Sequence, residues 1–282
     1  MTEHAWKAEL QAALAALQRA GVWDPHGDLQ AIAHRYTGAA ADASQAAVKL
    51  FRQDIAERCA RIPLGHILGH VDFGDLRLAV GSGVFVPRQQ SLALVDWAQR
   101  NLDLDNRALV YDLCAGAGAI GLSLWARTGA RVVCVERDAV PSLYLQRNIC
   151  RLGAEGQGVM AQTADISRFA DFETACQSAD LVVCNPPYVP EGVVLEPEWG
   201  VHHPQAAIFA HSHGTGLIQA CSALAQHLLK PGGTLLLEHA EGQIEQVHVN
   251  LAAAGFSSIN TLRNEAFSDA TGSSVMTSGV KK

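Results

Sequence analysis

Apolar residues follow two different rhythms along this chain. Residues 4–20 place Leu10, Ala13, Leu14 and Leu17 on one helical face, with Gly21 as a stop. A second, shorter helix is predicted from Asp28, as its cap, to about Tyr36. A third runs from about Ser44 through Val48, Phe51, Ile55 and Ile62, until Pro63 breaks it. Residues 1–70 therefore read as a small helical bundle. The rhythm then changes: Gly74-Asp75 punctuates a predicted hairpin within residues 71–86, whose second strand, Leu76 to Val80, alternates apolar and polar positions. From 87 to 282, short apolar runs alternate with helical stretches. Strands are expected near 108–113, 131–136, 158–162, 180–184, 233–238, 256–263 and 274–279, with helices between them. That is the pattern of an α/β domain with an open, doubly wound sheet.

Composition narrows the setting. A chain of 282 residues with 49% hydrophobic content can bury a sizeable core. No run of eighteen apolar residues occurs, and the first residues carry Glu3 and Glu9 among alanines, so neither membrane insertion nor secretion is expected. Seven cysteines, none in a Cys-x-x-Cys pattern, fit a reducing cytoplasm. A net charge of −7 lacks the basic face that a general grip on nucleic acid needs.

The segment Ala108-Leu-Val-Tyr-Asp112-Leu-Cys114-Ala115-Gly116-Ala117-Gly118 is a strand running into a glycine-bearing turn. Glycines there let backbone pass close to a ligand, and the following helix offers free N–H groups. A second strand, Arg131 to Glu136, ends in a carboxylate 20 positions after Gly116, suited to the two hydroxyls of a ribose. A dinucleotide and S-adenosylmethionine both fit that spacing. Cys114 standing where a dinucleotide fingerprint begins, and the acidic Asp112 before the turn, favour S-adenosylmethionine: a carboxylate repels a pyrophosphate and attracts an ammonium.

A third apolar run, Leu181 to Cys184, ends abruptly in Asn185-Pro186-Pro187-Tyr188. Two prolines can neither donate to a ladder nor continue a helix, so the chain leaves the sheet at Asn185. The Asn185 amide oxygen and the Pro186 carbonyl are two acceptors able to converge on one planar NH2 group, with the Tyr188 ring for it to stack on.

Together these residues resemble the class I methyltransferases, and within them the HemK-type protein-(glutamine-N5) methyltransferases of peptide chain release factors. The likeness extends to Pro63-Leu-Gly-His-Ile-Leu-Gly69, Phe73 to Val80, Gly83-Val-Phe-Val-Pro87-Arg88, His202 to Phe209 and Gly214-Thr-Gly216-Leu217. It implies a seven-stranded sheet with an antiparallel last strand, residues 1–70 as a docking domain for a protein substrate, 71–86 as a linking hairpin and 87–282 as the catalytic domain. It also implies that Asp112, the loop Cys114 to Gly118, Glu136, Asp165, Ile166 and Asn185 bind S-adenosylmethionine, leaving S-adenosylhomocysteine as product. Asn185 to Tyr188, with Arg88, would hold the glutamine of a Gly-Gly-Gln loop. Gln89-Gln90-Ser91 departs from the family's Pro-Arg-Pro-Glu pattern and lacks two carboxylates. Cys114 replaces a glycine, a substitution expected to be tolerated where the backbone keeps a negative φ.

Other chemistries share these features. The same NH2 geometry occurs on the exocyclic amine of adenine or guanine, and on a ribosomal-protein glutamine. A cofactor-binding partner without catalysis is a third alternative. For residues 1–70 the alternative to docking is simple packing, and for Asp165 it is a helix cap. Histidines 202, 203, 211 and 213 share one loop but lack an accompanying carboxylate or cysteine at ligand spacing, so a metal centre is not expected.

Overall fold

The computed structural model describes residues 3–37, 45–263 and 274–282. Their contacts divide the chain into two compact units, Met1–His70 with Leu195–His202, and Val71–Val194 with His203–Lys282.

The first unit contains helices α1 (Glu3–Arg19), α2 (Pro25–Thr37), α3 (Gln45–Cys59), α4 (Leu64–Leu68) and, from the later segment, α8 (Pro197–Gly200). Ala13, Leu17, Val22, Ile32, Phe51 and Ile55 form its core. Two expectations need correction. The cap of α2 is Asp24, whose Oδ1 accepts the Gly27 N–H at 2.9 Å, with Pro25 as the first helical residue. Asp28 lies in the first turn and instead accepts Arg58 Nε at 2.5 Å. The third helix stops at Cys59, before Pro63, because Arg61 turns to φ 66°; its predicted start at Ser44 lies outside the described residues. Glu198 of α8 is buried between Arg58 Nη2 at 2.8 Å and Arg61 Nε at 2.6 Å. A buried carboxylate is tolerated there because guanidinium donors surround it.

Strands β1 (His70–Phe73) and β2 (Leu76–Ala79) form the hairpin with which the second unit's chain begins at Val71, turning at Gly74 with φ 55°. Then follow α5 (Leu92–Asn101), β3 (Leu109–Leu113), α6 (Ala119–Thr128), β4 (Arg131–Glu136), α7 (Ala139–Arg151), β5 (Val159–Thr163), β6 (Ala179–Cys184) and the short pair β7 (Val189–Pro190) and β8 (Phe209–Ala210). The chain closes with α9 (Gly216–Leu228), β9 (Leu229–Ala240), α10 (Ile244–Ala253), β10 (Phe256–Leu262) and β11 (Ser274–Lys281). Seven strands form one sheet in the order β10-β11-β9-β6-β3-β4-β5, with β11 antiparallel to both neighbours. Between β5 and β6 the expected helix is only a 3-10 segment, Phe169–Ala175.

Strand alternation builds two cores. Val110, Val132, Cys134, Leu181, Val183 and Leu236 face α5, α6 and α7, through Leu94, Val95, Leu122 and Leu145. Leu113, Val133, Val135, Val182, Cys184 and Leu237 face α9 and α10, through Ile218, Leu224, Val247 and Leu251. This is why these strands read as unbroken apolar runs. The chain winds from β3 outward to β4 and β5, then returns to β6 on the other side of β3. A crevice opens at the carboxyl ends where the order reverses. Leu113 pairs with Cys184, and Cys184 with Leu237, so Cys114, Asn185 and Glu238 all stand one residue beyond the same row.

Candidate active site

The loop after β3 makes one half of the site. Cys114, Gly116 and Gly118 have φ of 59°, 57° and 87°. Cys114 therefore occupies the left-handed region, so the condition under which a cysteine is readily tolerated there is not met and the position costs about 1 kcal/mol; its half-buried side chain packs on the second core cluster. The Gly116 N–H donates to Glu136 Oε2 at 2.9 Å, and the Asp138 N–H to Glu136 Oε1 at 2.8 Å. A Cβ on Gly116 would meet nothing within 4 Å, so its backbone faces open space. Burial raises the Glu136 pKa, opposed by the N–H groups of Asp138 and Gly116. Asp112 is 1% exposed and its Oδ2 accepts the Gly121 N–H at 2.8 Å. Burial pushes its carboxyl up to about 7, which weakens the expectation of a fixed negative charge before the turn.

Asn148 of α7 fastens this loop. Its Nδ2 donates to the carbonyls of Ala79 and Ala117, each at 3.0 Å, and its Oδ1 accepts the Ala79 N–H at 2.7 Å. Beyond β5, Asp165 Oδ1 accepts both the Ser167 N–H (2.9 Å) and hydroxyl (2.7 Å), while Oδ2 lies 3.6 Å from Arg137 Nη1. The Ser167 bonds, with Arg137 adding to them, hold the Asp165 carboxyl below its usual range. Asp165 thus caps a tight turn, while Ile166 is buried in the second core.

The other half forms beyond β6 and β9. Asn185 and Tyr188 are half-buried, and Pro186 and Pro187 are buried. Asn185 Nδ2 donates to Ser91 Oγ at 3.1 Å, and Ser91 Oγ donates to Glu238 Oε2 at 2.6 Å. Glu238, 3% exposed, also accepts Gln90 Nε2 at 3.0 Å and the Tyr188 hydroxyl at 3.3 Å on Oε1. Arg88 Nη2 donates to Gln90 Oε1 at 2.6 Å. Burial, followed by the Glu238 charge, raises the Tyr188 pKa well above its usual value, so this phenol stays a donor. Gln243 Nε2 donates to the Tyr188 carbonyl (2.8 Å) and to the His213 carbonyl (3.2 Å), pinning the Asn-Pro-Pro-Tyr turn.

Asn185, Tyr188 and Arg88 thus meet around a residue that sequence reasoning passed over, Glu238. An acid closing an apolar strand was the signal used for Glu136, and the same signal stood in Leu235-Leu-Leu-Glu238. Ser91 and Gln90 were noted only as departures from a pattern, and Asn148 was not noted. The histidines scatter: His202 Nε2 lies 3.0 Å from the Ala60 carbonyl, His203 packs against Phe85 with ring centroids 5.1 Å apart, and His211 Nδ1 lies 3.4 Å from Glu191. Among the described residues no group of three or more His, Cys, Asp or Glu side chains is placed to hold a metal.

The release factor glutamine methyltransferase of Mycolicibacterium smegmatis is 36% identical over 241 residues, covering 83% of this chain and 84% of that one. The chain belongs to the release factor glutamine methyltransferase family. Another relative within that similarity range is the 4-amino-L-phenylalanine/4-methylamino-L-phenylalanine methyltransferase of Streptomyces pristinaespiralis, 35% identical over 208 residues, 71% of this chain and 69% of that one. The family model described as "Conserved hypothetical protein 95" matches residues 91–199. In fold, the chain matches the crystal structure of a SAM-dependent O-methyltransferase from Thermotoga maritima with TM-score 0.50 at 14% identity, over 71% of this chain and 67% of that one. The sheet order and antiparallel final strand are those of a class I methyltransferase domain, as the resemblance implied. Among the described residues, no helix of this family member is long and apolar enough to cross a membrane.

Proposed function

We propose that this chain transfers a methyl group from S-adenosylmethionine to the side-chain amide nitrogen of the glutamine in the Gly-Gly-Gln loop of peptide chain release factors, in a reducing cytoplasm. The observation that carries this is family membership together with the Asn185-Pro186-Pro187-Tyr188 turn at the switch point. The residues around the β3 loop fit the cofactor: an open backbone face at Gly116 beside a carboxylate, Glu136, already oriented by two N–H groups. Glu136 would receive the ribose hydroxyls, the Cys114 to Gly118 loop would pass beside the methionine moiety, and Asp165 with Ile166 would border the adenine. When bound, the cofactor supplies an electrophilic methyl group on a sulfonium.

The chain's own contribution is orientation. A glutamine amide nitrogen is a weak nucleophile because its lone pair is delocalised into the carbonyl. Among the described residues, Asn185 Oδ1 and the Pro186 carbonyl make no hydrogen bond, so both remain available to the two N–H groups of an incoming amide. Accepting both turns the nitrogen lone pair out of that plane of donors and favours positive charge developing on it during in-line transfer. No general base is required, since an alkylated amide nitrogen is strongly acidic and gives its proton up to water; Glu238, the buried carboxylate linked to Asn185 through Ser91, is already taken by three donors. The helical unit would dock the protein substrate.

A second reading, methylation of an aromatic amine, is favoured by the similarity to the Streptomyces enzyme; an aryl NH2 presents the same two N–H groups. The net charge of −7 counts against nucleic-acid bases. The test is incubation with methyl-labelled S-adenosylmethionine and, separately, a bacterial release factor, its loop Gln→Ala variant, ribosomal protein, 4-amino-L-phenylalanine, and bulk DNA and RNA. Label on the intact release-factor loop alone is expected. Label on the amino acid selects the second reading, and cofactor binding with no label anywhere leaves a non-catalytic binder. Asn185→Ala is expected to lower kcat by about 10²–10³-fold with little change in cofactor Kd.

A further inference from the structure

The two ends of an asparagine amide have nearly the same shape and opposite hydrogen-bonding character. For Asn185 the surrounding side chains decide which end faces where. Glu238 is a buried carboxylate that can only accept, and at 2.6 Å from its Oε2 the Ser91 hydroxyl must be the donor. The single Ser91 proton is thereby committed, so toward Asn185 Ser91 can only accept. The Asn185 group facing it at 3.1 Å is therefore the NH2, which leaves Oδ1 on the opposite side. With the amide reversed, two oxygens would face each other with no proton between them.

The carboxylate is itself held. Gln90 Nε2 (3.0 Å) and the Tyr188 hydroxyl (3.3 Å) occupy Oε1, which keeps Oε2 turned to Ser91. Gln90 cannot reverse either, because its Oε1 accepts Arg88 Nη2 at 2.6 Å while its Nε2 also donates to Ser274 Oγ at 2.6 Å. The chain of donors from Arg88 through Gln90 to Glu238, and from Asn185 through Ser91 to Glu238, has only one consistent direction.

We propose that Ser91 and Glu238 are positioning residues for methyl transfer: they fix the Asn185 amide with Oδ1 toward the acceptor nitrogen. This rests on the reading of Asn185 as the residue that holds the acceptor. Neither Ser91 nor Glu238 touches the substrate amide, and both act through Asn185.

The experiment measures kcat and KM on a bacterial release factor, cofactor Kd by calorimetry and Tm, for the wild-type protein, S91A, S91T, E238Q, N185A and the double variant S91A/N185A. S91A and E238Q are expected to lose up to about 10²-fold in kcat, as a reacting group held in the wrong orientation does, with cofactor Kd essentially unchanged. S91T keeps the hydroxyl and restores turnover. In the N185A background S91A is expected to cost nothing further, because its effect passes through the amide already removed. An equal loss with and without Asn185 overturns the proposal by showing that Ser91 acts independently, as would be the case if S91A merely loosened the fold. Wild-type labelling of the release factor together with full turnover by S91A overturns the positioning role alone. A wild-type protein that binds cofactor and labels no release factor overturns the underlying function with it.

Discussion

The two halves of the site are built by different means. Around the β3 loop the carboxylates are held by nearby backbone N–H groups, Gly121 on Asp112 and Gly116 and Asp138 on Glu136, over separations of 9, 20 and 2 residues, and a single side chain, Asn148, reaches in from 69 and 31 residues away. Around Asn185 the bonds run from side chain to side chain, over separations of 94, 147 and 148 residues. In the first half the carboxylates are set by backbone donors, which a change of side chain at the donor residue leaves in place. In the other half each side chain fixes the direction of the next, so one altered donor disturbs several groups.

The sharpest way to break the second half without touching its side-chain chain is Gly214→Ala. A Cβ there would lie 2.1 Å from the Tyr188 carbonyl oxygen and 2.6 Å from Gln243 Nε2, at a φ of 84°. The Asn-Pro-Pro-Tyr turn must shift, and a displacement of about 1 Å costs about 10²-fold in turnover. Cofactor Kd is expected to stay within about twofold, since the β3 loop is fastened separately. Calorimetry with S-adenosylhomocysteine beside a turnover assay checks both. Loss of cofactor binding in step with turnover would mean that the halves are mechanically one.

Asn148→Ala is the mirror image. It removes three hydrogen bonds at a residue 1% exposed and strands the Ala79 and Ala117 backbone groups, at about 2–4 kcal/mol of stability. The Ala117 carbonyl loses its anchor, so cofactor Kd is expected to rise about tenfold while kcat at saturating cofactor is largely kept. Equilibrium denaturation and the same calorimetry measure the two effects. A fall in kcat with unchanged Kd would contradict the division.

This division also explains what could be read from the chain. Strands β3, β4 and β6 were legible because burial on both faces makes continuous apolar runs, and the loop from Cys114 to Gly118 because its carboxylate partner Glu136 lies within one strand-turn-strand stretch, whereas Asn148, from α7, was not. Asn185 to Tyr188 was legible because two prolines force the exit from the sheet. Glu238 was not joined to it, because only the register Cys184 with Leu237 brings it to the same row, and register is a property of the folded sheet; Ser91, at the end of the 3-10 turn before α5, meets Asn185 and Glu238 only across separations of 94 and 147 residues. Leu195–His202 was hidden for a related reason: Glu198 meets Arg58 and Arg61 across separations of 140 and 137 residues. Asp24 could have been preferred over Asp28 as the α2 cap, since Asp-Pro places an acceptor at the cap and proline at the first helical position.

The smallest effect, and the most specific test of the first half, belongs to Asp112. Burial, with repulsion from Glu136 added, raises its carboxyl to about 7 against the bonding of the Gly121 N–H. The folded protein therefore holds a proton on Asp112 that the unfolded chain releases near its ordinary value of 3.8. Its contribution to stability is fully present below pH 3.8 and is lost as pH rises through about 7, at a rate on the order of 1 kcal/mol per pH unit. Asp112→Asn keeps an acceptor for Gly121 and removes the titration, so the variant is expected to gain on the wild type in denaturation midpoint between pH 5 and about 7, in line with that titration. Cofactor binding adds a second readout. If Asp112 receives the cofactor's ammonium, as proposed for this site, the carboxylate is stabilised, and binding to the wild-type protein should release a proton below pH 7 and tighten as pH rises, seen as a buffer-dependent heat in calorimetry. In Asp112→Asn the buffer dependence should vanish and Kd rise only a few-fold. A wild-type protein whose binding heat is the same in every buffer would mean that Asp112 braces the turn through Gly121 and leaves the cofactor's ammonium to other groups.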